Sequence, residues 1–288
     1  MVVHMEDKYI LPTKELLSKS EELFDKNSDY FSLSKMIFKK DLSKKLTVPL
    51  GIDTNGEKYY IDMQSVPALL ICGTTGSGKS VFLDNMIITL LLKNNPDELR
   101  FMFFDPKLIE LGEYDGIPHL MVDTDKEYDT DKLNFILKLL KDRKRLLNDK
   151  TILEHNKNSE NKLSQIFIIV DESIDVMQYD GINKIINEII DNGVSLGVHL
   201  VLATNAYMQK DFSSRMINKF PYIISYDLTD KKQATYLNIE GSDLLEDKGT
   251  ALVKCRDNKL IKLQTPYISN KEINRVVEFI KIINKGGI

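Results

Sequence analysis

The stretch "ALLICGTTGSGKSVFLDNMIITLLL", residues 68–92, joins an apolar run, a glycine-rich loop and a second apolar run with helical spacing. The loop fits the pattern G-x-x-x-x-G-K-[ST], which strand-loop-helix units use to hold phosphate groups. Glycines at these positions let backbone N–H groups converge on phosphate oxygens, and the start of the next helix adds partial positive charge. The predicted nucleotide-binding residues are Gly73, Thr74, Thr75, Gly76, Ser77, Gly78, Lys79, Ser80 and Val81.

A second, acidic motif completes the predicted site. Lys79 is expected to reach the β- and γ-phosphates, and Ser80 to ligate Mg²⁺. The run "IFIIVDES" places Asp171 directly after an apolar strand, where a P-loop protein needs a carboxylate to fix the magnesium ion. Glu172 follows and is predicted to polarise the attacking water as general base. Asn205, at the end of "VHLVLATN", is either a sensor of the γ-phosphate or a turn asparagine.

Strand-like and helical segments alternate along the chain. The strand-like segments are "ALLIC", "RFMFFD", "HLMVD", "IFIIV", "VHLVLAT" and "YIISY". Helical patterns separate most of them, which predicts an α/β fold with a mainly parallel sheet covered by helices on both faces. Strands intervene between the loop and Asp171, and an acidic base follows the magnesium ligand, which favours a RecA-like P-loop NTPase. No N-K-x-D motif selects guanine, so ATP with Mg²⁺ is the predicted ligand.

The composition indicates a globular protein and gives no sign of a membrane, secreted or metal-binding protein. The chain has 288 residues, is 42% hydrophobic and carries a formal net charge of −4, so it is globular and lacks an overall basic footprint for nucleic acid. No apolar run reaches the roughly 18 residues of a membrane span, and no secretory signal is present, which predicts a cytoplasmic protein. Cys72 and Cys255 are expected to be buried free thiols. The four histidines show no metal-ligand spacing.

The chain divides into two predicted parts, an amino-terminal helical appendage (1–46) and a P-loop ATPase motor domain (47–288). The first part carries two modest amphipathic patterns, "ELLSKSEELF" and "SLSKMIF", which form either a docking appendage or a lid on the main core. "TVPLGIDTNGEKYYIDM" predicts a β-hairpin around Asn55-Gly56. Residues 148–164 are a polar surface excursion, and the chain closes with an amphipathic helix capped by Ser269.

The motor part resembles the motor domain of FtsK/SpoIIIE-type DNA translocases from about Leu46 to about Ile280. The matching motifs are "LTVPLGID", "VPALLICGTTGSGKSVFLDNMI", "LRFMFFDPKLIELGEYDGIPHL", "IIVDES", "GVHLVLAT", "DKGTALV" and "ISNKEINRVVEFI". The resemblance implies a RecA-like fold, a homo-oligomeric ring of six subunits with ATP at the subunit borders, and a channel for double-stranded DNA. It also implies that Asp105 and Lys107 lie near the site or the subunit border.

The chain departs from the family pattern at residues that would serve catalysis. Family motors usually end the last strand of the site with A-T-Q-R-P, whereas residues 203–207 here are A-T-N-A-Y. Arginines that family members tend to carry before "GVHLVLAT" and in the strand matching "PYIISY" are also missing. A homomeric ring is therefore expected to turn over ATP slowly unless Arg215, Arg143 or a partner subunit supplies the charge. The membrane-spanning and winged-helix parts of the family are absent too, which predicts a stand-alone motor core.

Three functions remain open from the sequence. The first is an ATP-driven translocase of double-stranded DNA, in the service of a plasmid or conjugative element, with cations at Lys210, Arg215 and Lys219 as candidate phosphate contacts. The second is a secretion-type or coupling ATPase of the same fold that acts with a protein partner, including one at a membrane. The third is an ATP-binding assembly subunit with little or no hydrolysis.

Overall fold

The computed structural model describes residues 9–17, 31–37, 44–105, 111–122, 130–171, 177, 181–205 and 213–283. In this part of the chain, nine strands form one sheet in the order β2-β1-β9-β8-β7-β3-β6-β5-β4. The strands run over Thr47–Ile52 (β1), Lys58–Asp62 (β2), Ala68–Cys72 (β3), Leu99–Phe104 (β4), Gln165–Val170 (β5), Val198–Thr204 (β6), Tyr222–Ser225 (β7), Thr250–Lys254 (β8) and Leu260–Gln264 (β9).

The sheet has a parallel half and an antiparallel half. Strands β7, β3, β6, β5 and β4 pair in parallel. Strands β8, β9, β1 and β2 continue the sheet beyond β7 in antiparallel pairs. The α/β prediction is confirmed, and the sheet is mixed because the hairpins β1-β2 and β8-β9 extend its parallel half.

Helices cover both faces of the sheet. They run over Leu33–Ile37 (α1), Lys79–Leu91 (α2), Thr130–Leu147 (α3), Ile152–Asn158 (α4), Ile182–Leu196 (α5), Ser214–Ile217 (α6), Lys231–Tyr236 (α7) and Asn270–Ile283 (α8). One face is buried under α2 and α8, with Phe82 and Val276 in its core. The other is buried under α3 and α5, with Ile136 and Ile189 in its core. The central strands are therefore apolar throughout rather than alternating.

Two local predictions are confirmed. Residues Thr47–Ile52 and Lys58–Asp62 form the predicted hairpin, and Gly56 in its turn has a φ of +79°. The closing helix α8 begins as expected, because the Ser269 backbone N–H and hydroxyl both donate to the Glu272 carboxylate, at 2.9 and 2.7 Å.

Other predictions need correction. Residues 119–122 of "HLMVD" do not form a strand: Leu120 makes one isolated bridge with Phe101, because only the Phe101 N–H and carbonyl bond to these residues. The polar excursion 148–164 contains helix α4, which starts with a capping box between Thr151 and Glu154. Cys255 is only half-buried, whereas Cys72 is buried as expected.

The amino-terminal segment is described only in part. It contains a short 3₁₀ turn at Lys14–Leu16 and helix α1, while the rest of the two predicted amphipathic helices lies outside the described residues. Leu17 and Leu33 are buried in the core on the α2 face of the sheet. This segment therefore packs against the main core where it is described.

Candidate nucleotide-binding site

The predicted phosphate loop lies between a fully buried strand and the start of a helix. Strand β3 ends at Cys72, residues 73–78 form the loop, and α2 begins at Lys79. The first N–H groups of an α-helix have no partner inside the helix, and the N-cap residue Gly78 offers no side-chain cap. The first turn of α2 carries no acidic residue. This end of α2 is therefore electropositive and suited to an anion.

Two glycines of the loop are required by close packing. A Cβ at Gly73 would lie 2.7 Å from Tyr226 Cβ, and one at Gly78 would lie 3.0 Å from Tyr226 Cε1. Gly76 is favoured for a different reason, because its φ of +78° lies in the left-handed region. The space around it is open, since a Cβ there would meet nothing within 4 Å. The glycine spacing of the motif thus matches a loop that packs tightly on one side and is open at its tip.

The Lys79 side chain is folded over the loop. Its Nζ atom donates to the carbonyl oxygens of Gly73 at 2.8 Å and Thr74 at 2.9 Å, and the residue is only 8% exposed. The Ser77 hydroxyl donates to the same Thr74 carbonyl at 2.7 Å. The ammonium group is thus positioned beside the loop by loop carbonyls.

The predicted polar residues meet at one edge of the parallel sheet. Asp171 directly follows β5 and Asn205 directly follows β6, which lies between β3 and β5. Asp171 is 7% exposed, and its N–H donates to the Phe104 carbonyl at 2.9 Å. Because the carboxyl ends of parallel strands share an edge, the loop, Asn205 and Asp171 stand side by side in that order.

Asp105 lies further along the same edge. It follows β4, is 2% exposed, and its Oδ2 atom accepts a hydrogen bond from the Leu111 N–H at 2.9 Å. Asp105 thus lies at the same carboxyl edge as the loop, and its place near the site or the subunit border stays a prediction. Glu172 and Lys107, which complete these motifs in the sequence, lie outside the described residues.

The cations considered as sources of catalytic charge lie in different environments. Arg143 is buried, and its guanidinium donates to the carbonyls of Leu196 at 2.6 Å and Ser164 at 2.7 Å. These carbonyls precede β6 and β5, at the edge of the sheet opposite the phosphate loop, and burial lowers the pKa of Arg143 to about 10. The alternative that Arg143 supplies the catalytic charge is therefore wrong, because its guanidinium already donates to backbone carbonyls.

Arg215 and Lys219 lie on or just after the short helix α6. Arg215 is exposed, whereas Lys219 donates to Asn187 Oδ1 at 2.7 Å and lies 3.6 Å from the Asp191 carboxylate. Lys219 is thus already engaged by α5, which weakens its case as a phosphate contact. Lys210 lies outside the described residues.

The structure also brings to the loop residues that the sequence analysis did not single out. The Thr74 N–H donates to the Asp227 carbonyl at 2.8 Å, and the Gly249 N–H donates to the Ser77 carbonyl at 3.0 Å. Tyr226 packs against the loop glycines, and its hydroxyl donates to Thr265 Oγ1 at 3.3 Å. Gly249 lies in the family-like motif "DKGTALV", which was the only sequence feature that could have pointed to this contact.

The residues present fit a nucleotide with Mg²⁺. The loop offers glycines, a lysine and an uncapped helix start to phosphate oxygens, and Ser80 and Asp171 are oxygen donors of the kind Mg²⁺ accepts. Within the described residues, no three His, Cys, Asp or Glu side chains cluster as a metal site. Mg²⁺ is usually held by one or two protein oxygens together with phosphates and water.

The fold and this loop define a P-loop ATPase domain of the α/β class. Residues 33–161 match the model of the FtsK/SpoIIIE family. The DNA translocase FtsK of Rickettsia typhi is 30% identical over 316 aligned positions, which cover 94% of this chain. The chain belongs to the FtsK/SpoIIIE family. It spans 42% of the length of that relative.

Solved structures share the fold. EssC (ATPases 2 and 3) from Geobacillus thermodenitrificans superposes with a TM-score of 0.72 at 20% identity, covering 84% of this chain and 50% of that one. The pCW3 conjugation coupling protein TcpA, in its monomer form with ATPγS, gives a TM-score of 0.69 at 22% identity, covering 87% and 74%. Within the described ranges, no helix has the length and apolar character needed to cross a bilayer.

Proposed function

We propose that this protein is an ATP-binding and ATP-hydrolysing motor that translocates double-stranded DNA. The observation that carries the proposal is the edge of the sheet where the phosphate loop and Asp171 flank β6, in a chain of the FtsK/SpoIIIE family. Relatives that match over most of the chain are named DNA translocases, which supports DNA as the cargo.

Each residue of the proposed site has a defined task. Backbone N–H groups of residues 73–81 bind the phosphates, and Lys79 leaves its loop carbonyls to contact the β- and γ-phosphate oxygens. Ser80 and Asp171 would hold Mg²⁺, which would supply positive charge to the phosphate oxygens. Glu172 orients and deprotonates the attacking water. Asn205 follows β6, between the strands that carry the loop and Asp171, and we propose that its amide senses the γ-phosphate.

The assembly is the less direct part of the proposal. We propose a homo-oligomeric ring, of six subunits as in the family resemblance, in the cytoplasm, with residues 47–288 as the motor domain and 1–46 as an appendage. A role in a plasmid or conjugative element fits such a motor core. The catalytic arginine would then come from Arg215 of a neighbouring copy or from a partner subunit, since Arg143 is buried in the fold.

A protein-directed ATPase is the competing function. The net charge of −4 gives the chain no overall basic footprint for a DNA backbone, and Lys219 is already engaged by α5. A secretion-type ATPase would hydrolyse ATP without regard to DNA, and a binding-only assembly subunit would not hydrolyse it at all.

The test is steady-state ATP hydrolysis by the purified chain, with and without long double-stranded DNA. The translocase predicts a rate that DNA raises and that rising salt weakens, because salt competes with phosphate contacts. Glu172→Gln is the matched blank, since glutamine keeps the size and shape of the side chain but cannot act as a base. Hydrolysis that DNA leaves unchanged would favour the secretion-type ATPase. ATP binding without turnover in the wild type would favour the assembly subunit.

A further inference from the structure

The rear of the phosphate loop rests on a single tyrosine. Tyr226 directly follows β7, is fully buried, and donates its backbone N–H to the Cys72 carbonyl at 2.8 Å. Its side chain is the nearest neighbour that a Cβ would meet at both Gly73 and Gly78. The ring therefore fills the space behind both ends of the loop.

The tyrosine hydroxyl is the first member of a buried hydrogen-bond chain. It donates to Thr265 Oγ1 at 3.3 Å, and Thr265 Oγ1 donates to the Gly249 carbonyl at 2.8 Å. A threonine hydroxyl has one proton, so it accepts from Tyr226 while it donates to Gly249. The Thr265 backbone N–H donates to the same carbonyl at 2.8 Å. Thr265 thereby fixes the position of the Gly249 peptide.

Gly249 returns the chain to the phosphate loop. Its N–H donates to the Ser77 carbonyl at 3.0 Å, next to Gly78 and the start of α2. Its φ of +77° lies in the left-handed region that favours glycine. Pro266, beside Thr265, also accepts a hydrogen bond from the buried Asn85 side chain of α2. The segment 265–266 thus contacts both the loop support and the helix that follows it.

We propose that Tyr226 and Thr265 are positioning residues for nucleotide binding, which act through Gly249 and Ser77 to hold the phosphate loop in its binding conformation. The inference rests on the proposed role of this loop in ATP binding. Its physical basis is that a loop whose carbonyls and rear surface are fixed before binding does not have to be ordered by the ligand, so less affinity is lost to ordering. The antiparallel hairpin β8-β9 is thereby tied to the nucleotide site.

The test compares ATP affinity and stability in matched variants of the full chain. Thr265→Val keeps the shape of the side chain and removes the hydroxyl, and Thr265→Ser keeps the hydroxyl. Thr89→Val is the control, because Thr89 is buried in α2 and donates to the Asn85 carbonyl at 2.6 Å, well along the helix from the loop. Tyr226→Phe is paired with Tyr60→Phe, whose hydroxyl donates to the Met36 carbonyl at 3.2 Å in the antiparallel half of the sheet.

We expect Thr265→Val to raise the dissociation constant for Mg-ATP about tenfold, and Tyr226→Phe to raise it less, on the scale of one buried hydrogen bond. Thr265→Ser should restore the affinity to within about threefold of wild type. Thr89→Val and Tyr60→Phe should lower the unfolding temperature about as much as Thr265→Val and Tyr226→Phe do, without changing the dissociation constant for Mg-ATP. Hydrogen exchange at the Gly249 and Thr74 amides should accelerate only in the Thr265 and Tyr226 variants.

Two results would overturn the inference. One is a Thr265→Val variant that is less stable yet binds Mg-ATP as tightly as wild type, which would make the network part of the core and nothing more. The other is a loss of affinity that Thr265→Ser does not restore. A wild-type chain that binds no Mg-ATP would instead refute the proposed function itself, so the two failures are distinguishable.

Discussion

The Nζ atom of Lys79 lies 2.8 Å from the carbonyl oxygen of Gly73, at the opposite end of the same loop. The ammonium therefore closes the loop on itself, and in the proposed mechanism it exchanges these carbonyls for phosphate oxygens when a nucleotide binds. Lys79→Ala is expected to weaken ATP binding by about 10- to 100-fold, since it removes a charge-assisted hydrogen bond. A titration with a fluorescent ATP analogue measures this. Lys231→Ala, an exposed lysine on α7, is the control, and equal affinity in both variants would contradict the assignment.

Gly73 and Gly76 should respond differently to substitution by alanine. A Cβ at Gly73 would lie 2.7 Å from Tyr226 Cβ and 2.8 Å from Ser77 Oγ, so neighbours must move, whereas Gly76 has open space around it. Gly73→Ala is expected to cost about 2–3 kcal/mol of unfolding free energy, and Gly76→Ala about 1 kcal/mol from its positive φ alone. Urea unfolding without nucleotide measures both. Equal losses would show that the contact with Tyr226 does not constrain the loop.

Arg143 should be a stability residue. Its guanidinium donates to backbone carbonyls that precede both β5 and β6, so its removal leaves buried acceptors without donors. Arg143→Met, which keeps the apolar stem, is expected to lower the free energy of unfolding by about 3 kcal/mol. Urea unfolding provides the value, and ATP turnover per folded molecule should stay within a few-fold of wild type. A variant that is as stable as wild type but does not hydrolyse ATP would contradict this and indicate a catalytic role for Arg143.

Arg215 should behave in the opposite way. It is exposed, so Arg215→Ala is expected to change the free energy of unfolding by less than about 0.5 kcal/mol. If it supplies charge to the γ-phosphate of a neighbouring copy, DNA-stimulated kcat should fall on the order of 10³-fold. Arg145→Ala, an exposed arginine on α3, is the matched control. Unchanged turnover in Arg215→Ala would direct the search to a partner subunit.

The sequence was sufficient to predict those features of the site that depend on residues adjacent in the chain. The strand β3, the glycine loop and the start of α2 follow one another without a gap, and Asp171 follows its strand directly. Their approach in space follows from the shared edge of parallel strands, so the core of the site was predictable.

The supporting residues were not predictable, because their contacts join distant parts of the chain. Thr265 and Gly249 reach the loop only through the antiparallel hairpin β8-β9, which the alternation of strands and helices did not reveal. In the sequence, Arg143 looks like a surface cation of an amphipathic helix. Its neighbours in the chain do not indicate that it donates to carbonyls that precede β5 and β6. "HLMVD" has the apolar content of a strand, but its described residues, 119–122, pair at one position only.

Two buried histidines should make the fold sensitive to mild acid. Burial lowers the pKa of both His119 and His199 to about 4, against an ordinary value of 6.5. His119 Nε2 lies 3.0 Å from the Asn94 carbonyl, and His199 lies between the Val66 carbonyl and the Gln165 side chain. Both rings are thus neutral in the folded protein over a pH range in which the unfolded chain already binds protons.

The sign of the effect follows from this difference. Above pH 6.5 both states are neutral and the histidines add no pH dependence, whereas from pH 6.5 down to about 4 the unfolded state takes up protons that the folded state does not. Between pH 7 and pH 5 each histidine should therefore remove about 2 kcal/mol from the free energy of unfolding. Urea unfolding at the two pH values measures the loss, and His119→Gln, which keeps a donor for Asn94 but does not titrate, should show a loss smaller by about 2 kcal/mol. An identical loss in the variant would mean that His119 is protonated in the folded protein or that its site opens to water before unfolding.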